Sequence, residues 1–131
     1  MSSPATRVLL VEDNPGDARL LRETLRDSGG VPFQLVHVEK LGDAVRQLQK
    51  ERFDVVLLDL SLPDARGLDT LVRARAAAGS VPIVVLTGPH DELVAVQAVR
   101  EGAQDYLVKG QVEGPALVRS IRYAMARHSN P

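Results

Sequence analysis

The stretch Val55-Val56-Leu57-Leu58-Asp59, followed by Leu60-Ser61-Leu62-Pro63, decides how this chain folds. Four consecutive β-branched or leucine residues form an unbroken apolar run, the pattern of a strand buried on both faces rather than on one. The run ends in a carboxylate, and Pro63 soon prevents the strand from continuing. A second run, Val8-Leu9-Leu10-Val11, ends likewise in two carboxylates, Glu12 and Asp13. Further apolar runs occupy residues 33–38, 83–86 and 106–108. Each gap between them is long enough for one helix and two short loops. Strands alternating with helices imply βαβ units and a parallel sheet.

The intervening segments read as helices. Ala18, Leu21 and Leu25 share one helical face, and Ser28-Gly29-Gly30 stops that helix. Residues 41–50 present Leu41, Ala44, Val45 and Leu48 inward. Residues 68–78 form a third helix closed by Gly79, and 92–100 a fourth closed by Gly102. The last, 115–128, aligns Leu117, Ile121 and Ala124, and Gly114-Pro115 suits its start. The expectation is an α/β, flavodoxin-like, doubly wound fold with a five-stranded parallel sheet and five helices. Right-handed crossovers allow few arrangements; the order 2-1-3-4-5 is carried over from known doubly wound folds. Residues 7–128 are read as one domain, with tails at 1–6 and 129–131.

The chain has 131 residues, 44% of them hydrophobic and 3% aromatic, so Val, Leu, Ile and Ala must build the core. Sixteen basic residues against seventeen acidic ones lack the excess of a nucleic-acid binder. There is no cysteine, which excludes disulfides and thiolate metal sites. No run is long enough to span a membrane, and residues 1–7 lack the apolar segment of a signal peptide. The expected location is cytoplasmic.

The polar residues that follow the strands converge. Glu12 and Asp13 follow the first, Asp59 ends the third, Thr87 follows the fourth and Lys109 the fifth. In the order 2-1-3-4-5 these four strands are neighbours about 4.8 Å apart, so the five side chains can meet in one pocket. Two carboxylates about 4 Å apart repel by roughly 4 kcal/mol at an effective dielectric of 20. A divalent cation with oxygen ligands, such as Mg²⁺, relieves this; Lys109 adds one positive charge and Thr87 a hydroxyl. A carboxylate can then serve as a nucleophile towards a phosphoryl group.

Val11-Glu12-Asp13-Asn14, Leu58-Asp59-Leu60 with Pro63 and Gly67, Leu86-Thr87-Gly88, and Asp105-Tyr106-Leu107-Val108-Lys109 together resemble the receiver domain of two-component response regulators. The resemblance covers residues 7 to 127. It implies a phosphorylation-controlled switch that takes a phosphoryl group from a histidine kinase or phosphotransfer protein onto Asp59, without turnover of a separate substrate. It also implies Mg²⁺ held by Asp13, Asp59 and the carbonyl of Ser61, with Glu12 acting through water. By the same match Thr87 and Lys109 contact the phosphoryl oxygens, and Tyr106 is the aromatic that swings inward on switching. The face made by the fourth helix, fifth strand and fifth helix is the implied surface for a downstream protein or a homodimer, with Leu93 and Val94 exposed on it.

Three positions depart from the family pattern. Gly110 stands where proline usually follows the lysine, Gly88 where alanine is common, and Arg66 where an acid is frequent. A cis bond before a non-proline residue costs about 3 kcal/mol, so the Lys109-Gly110 loop either bears that cost or takes another path. Two rival readings are a receiver-like interaction module that is not phosphorylated and a haloacid-dehalogenase-type phosphatase. The phosphatase normally needs an acid two residues after its nucleophile, where this chain has Ser61. A flavodoxin is disfavoured by the scarcity of aromatics and the lack of a Ser/Thr/Gly-rich first loop. His37, His90 and His128 have no metal-ligand spacing. Arg19, Arg22, Glu23 and Arg26 read as a solvated helix face.

Overall fold

The structure, a computed structural model, describes residues 5–27, 32–111 and 113–129. In chain order the elements are β1 (Thr6–Val11), α1 (Pro15–Asp27), β2 (Phe33–Val38), α2 (Leu41–Lys50), β3 (Val55–Asp59), β4 (Ser61–Leu62), β5 (Ala65–Arg66), α3 (Leu68–Ala78), β6 (Ile83–Thr87), α4 (Glu92–Arg100), β7 (Asp105–Val108) and α5 (Gly114–Ser129). One sheet has the order β2-β1-β3-β6-β7, parallel throughout. Counting its five strands alone, this is the 2-1-3-4-5 order. β1 begins at Thr6, inside the stretch read as a tail, and the Ser28-Gly29-Gly30 stop signal lies outside the described residues.

Alternation along each strand sorts the core into two layers. Leu9, Val11, Val56, Leu58, Ile83 and Val85 point to one face, which α2, α3 and α4 cover through residues such as Leu41, Leu71 and Ala98. Val8, Leu10, Val55, Leu57, Val84 and Leu86 point to the other, covered by α1 and α5 through Leu21, Leu25, Leu117 and Ile121. Every residue of β3 and β6 is buried, which is why these runs carry no polar residue until their last position. Fully burying one such aliphatic side chain stabilises the fold by about 1.5–3 kcal/mol.

Register sets the depth of the functional edge. Val11 pairs with Leu58, Asp59 with Leu86, and Thr87 with Val108. The polar residues therefore end neighbouring strands at nearly one level.

Two features lie beyond the sequence reading. β4 and β5 form a small antiparallel hairpin around Pro63-Asp64, with Ser61 opposite Arg66 and Leu62 opposite Ala65. Proline in the second position of a turn is its sequence signal. The Gly67 amide donates to the Leu60 carbonyl at 2.7 Å, and Gly67 has φ +65, a left-handed conformation that glycine adopts without strain. Asp64, at the hairpin tip, accepts hydrogen bonds from the amides of Leu41 and Gly42 at 2.8 and 2.9 Å. It thereby caps α2, whose own N-cap residue Lys40 has no side-chain cap.

Candidate functional site

Three strand ends deliver the acids and the lysine to one place. Glu12, fully buried past the end of β1, and Asp59, 5% exposed at the end of β3, both accept hydrogen bonds from the Lys109 ammonium, at 2.9 and 2.8 Å. Asp13, beside Glu12, is exposed. One carboxylate oxygen from each of Glu12, Asp13 and Asp59 lies within 4.8 Å of the others. The Asp59 carboxylate is oriented by the Ser61 amide, which donates to its Oδ1 at 2.8 Å, and Glu12 by the Asn14 amide at 3.2 Å.

The charge balance is tight. Burial, then the neighbouring Asp59, pushes the Glu12 carboxyl up to about 8, against the lowering pull of Lys109 and the Asn14 amide. Burial pulls the Lys109 ammonium down, but its hydrogen bonds to Asp59 and Glu12 outweigh that and hold it above the usual lysine range. A third acid, Asp17 on the first turn of α1, also reaches Lys109 at 3.1 Å. Asn14 caps α1, its Oδ1 accepting from the Asp17 amide at 3.0 Å.

This donor set suits a hard divalent cation. It contains only oxygen ligands, at the ends of two adjacent strands, and a cation's charge would favour the ionised form of the raised Glu12 carboxyl.

The remaining predicted residues are close, but not all face the acids. Thr87 is buried at the end of β6, its Oγ1 3.5 Å from the Leu107 carbonyl and so directed towards β7. Tyr106 turns outward, with its hydroxyl donating to Glu92 at 3.3 Å. The Glu92 carboxylate beside it pushes the phenol above its usual range. Ser61, Arg66, Thr87, Asp91 and Val94 border a cavity of about 180 Å³ that opens onto Asp59. Leu93 is 83% exposed, as expected, whereas Val94 is half-buried and packs on the core. His37 donates from Nε2 to the Glu12 carbonyl at 2.7 Å, a structural role beside the site.

The Lys109-Gly110 loop takes a path of its own. No peptide bond among the described residues is cis, and Gly110 has φ +83, unreachable for the proline usual there. The Lys109 amide still donates to the Thr87 carbonyl at 2.8 Å, so the lysine leaves the sheet at the level of the acids.

Comparison with known proteins agrees with this geometry. Residues 8–122 match the family model of the response regulator receiver domain. The chain is 34% identical over 130 residues to the DNA-binding response regulator MtrA of Mycolicibacterium smegmatis, covering 99% of this chain and 55% of that protein. It is 38% identical over 102 residues to the swarming motility regulation protein RssB of Serratia marcescens, covering 78% of this chain and 45% of that protein. The chain thus spans about half the length of these curated relatives. Among solved structures, the receiver domain of a sensor histidine kinase from Pseudomonas aeruginosa, with a magnesium ion coordinated in its active site cleft, superimposes with a TM-score of 0.77. It shares 29% identity over 94% of this chain and 99% of that one. A receiver domain from Clostridium thermocellum, at 23% identity, has the same fold with a TM-score of 0.80 over 95% of this chain and 97% of that one. With the acidic cluster, the strand-end lysine and the sheet order all in place, the chain belongs to the receiver domain family of two-component response regulators.

Proposed function

We propose that Asp59 is the phosphoacceptor of a signalling switch, taking a phosphoryl group from the phosphohistidine of a sensor kinase or phosphotransfer protein. The observation that carries this reading is the contact of the Lys109 ammonium with Asp59 and Glu12 at 2.8 and 2.9 Å, beside a third carboxylate from Asp13. Asp59 attacks phosphorus through a carboxylate oxygen; the new O–P bond forms as the N–P bond breaks, and the imidazole leaves with the electron pair. Asp13, Asp59 and the Ser61 carbonyl would hold Mg²⁺, with Glu12 acting through water. When bound, the ion neutralises charge on the transferring phosphoryl oxygens. Lys109 neutralises a further oxygen, and the Ser61 amide keeps Asp59 aimed. Thr87 would turn from the Leu107 carbonyl to donate to the phosphoryl group, and Tyr106 would move inward into the space that this rotation opens. The chain modifies itself rather than turning over a separate substrate. Its place is the cytoplasm, where such donors are made, and no helix among the described residues is long and apolar enough to cross a membrane.

Mg²⁺ with acetyl phosphate will add one phosphoryl group to the native chain by intact mass, and none to Asp59→Asn. No mass gain in the native chain, or an equal gain in the variant, would refute the assignment and leave the inert interaction module as the better reading. Turnover of a small phosphate ester would favour a phosphatase.

A further inference from the structure

The cavity over Asp59 has a cation, Arg66, in its lining. Arg66 pairs directly with Ser61 across the β4–β5 hairpin, so the two side chains leave the same face of that ribbon, with Cβ atoms about 5 Å apart. Ser61 is itself tied to Asp59 through its amide, at 2.8 Å. Both Ser61 and Arg66 line the cavity that also holds Asp59 and Thr87. Lys109 is already engaged by three carboxylates, those of Glu12, Asp17 and Asp59. Arg66 is exposed and makes no ion pair among the described residues. It is therefore an uncommitted positive charge lining the cavity that opens onto Asp59.

We infer that Arg66 is a further contact for the phosphoryl group at Asp59, recognising the dianionic terminal phosphate of the donor. This rests on the phosphoacceptor reading of Asp59. A guanidinium suits the role because its planar fork meets phosphate oxygens with two parallel N–H donors. The step itself is unchanged: the Asp59 oxygen bonds to phosphorus as the donor's P–O or P–N bond breaks, and the leaving group keeps the electron pair. Arg66 adds attraction for the incoming dianion and stabilises the charge on its equatorial oxygens as that bond breaks. It also makes capture sensitive to salt, because the charge lies at the solvent-facing rim.

The test measures initial rates of Asp59 phosphorylation by acetyl phosphate with saturating Mg²⁺, at low and high ionic strength. The chains compared are native, Arg66→Met, Arg66→Lys and Arg66→Asp, each with its thermal transition recorded. At low salt Arg66→Met is expected to be about threefold to fivefold slower, the range of a solvent-exposed charge contact. Arg66→Asp is slower still, and Arg66→Lys keeps most of the rate. The gap between native and Arg66→Met narrows at high salt. A merely structural arginine would instead lower the thermal transition in all three variants and leave the salt dependence untouched, which would overturn the inference. Native-like rates in Arg66→Met and Arg66→Asp, with the native chain modified normally, would overturn it alone. Failure of the native chain to be modified at all would overturn the Asp59 reading with it.

Discussion

Asp64 shows how one side chain can hold two elements at once. It sits at the exposed tip of the β4–β5 hairpin, yet its carboxylate takes the first two free amides of α2. Burial raises the carboxyl, but the Gly42 and Leu41 amides outweigh this, and its net shift is downward. Asp64→Ala should cost about 1 kcal/mol, the usual value of a lost helix cap, seen in urea unfolding at pH 7. Because the folded-state value is lowered, the capping contribution is complete above the ordinary aspartate range, near 3.8. It is lost as pH falls through the lower folded-state value. The stability gap between the native chain and Asp64→Ala should therefore be constant from neutral pH to about pH 5 and shrink below about pH 4.

At the scale of elements, α1 and α5 form one cover of the sheet and must be held there mainly by apolar packing. Ile121 is fully buried against Val8, Leu10 and their neighbours. Beside it Ser120 donates to Asp105 at 2.9 Å, tying α5 to the start of β7. Ile121→Ala should cost about 2–5 kcal/mol, since a rigid sheet cannot collapse into the gap. Ser120→Ala should cost nearer 1 kcal/mol, the net worth of one hydrogen bond. Denaturant midpoints of the two variants check the order; equal losses would mean that the polar tie, not the packing, anchors the helix.

For the whole molecule, the acidic edge stores repulsion, seen in the raised Glu12 carboxyl, that the fold offsets by bonding Lys109. On the proposed reading Mg²⁺ would bind an arrangement that only the folded chain assembles, so it should stabilise that chain by mass action. At a hundredfold excess over its Kd the gain should be about 2.7 kcal/mol, read as a rise in Tm. Asp13→Asn removes an exposed carboxylate of the cluster without opening the core. It should leave the metal-free Tm nearly unchanged while reducing the Mg²⁺-dependent rise.

The chain's own residue order determined most of this fold. The uninterrupted runs at 55–58 and 83–86 could only be strands covered on both faces, and the helices at 41–50, 68–78 and 92–100 have the bounds that their periodicity and glycine stops imply. The reason is local: the apolar period and the turn residues lie next to each other along the chain. The identity of the acidic cluster was legible too, because strand ends in a parallel sheet share one edge. Tertiary structure decided what depends on partners far apart in sequence. Asp17 turns to Lys109, Asp64 caps a helix that precedes it, and Arg66 faces Ser61 across a two-residue hairpin. The outward Tyr106 and the left-handed Gly110 were likewise open until the strands were in register. Backbone periodicity is written in neighbouring residues. The pairing of charges is written in distances that exist only after the sheet has closed.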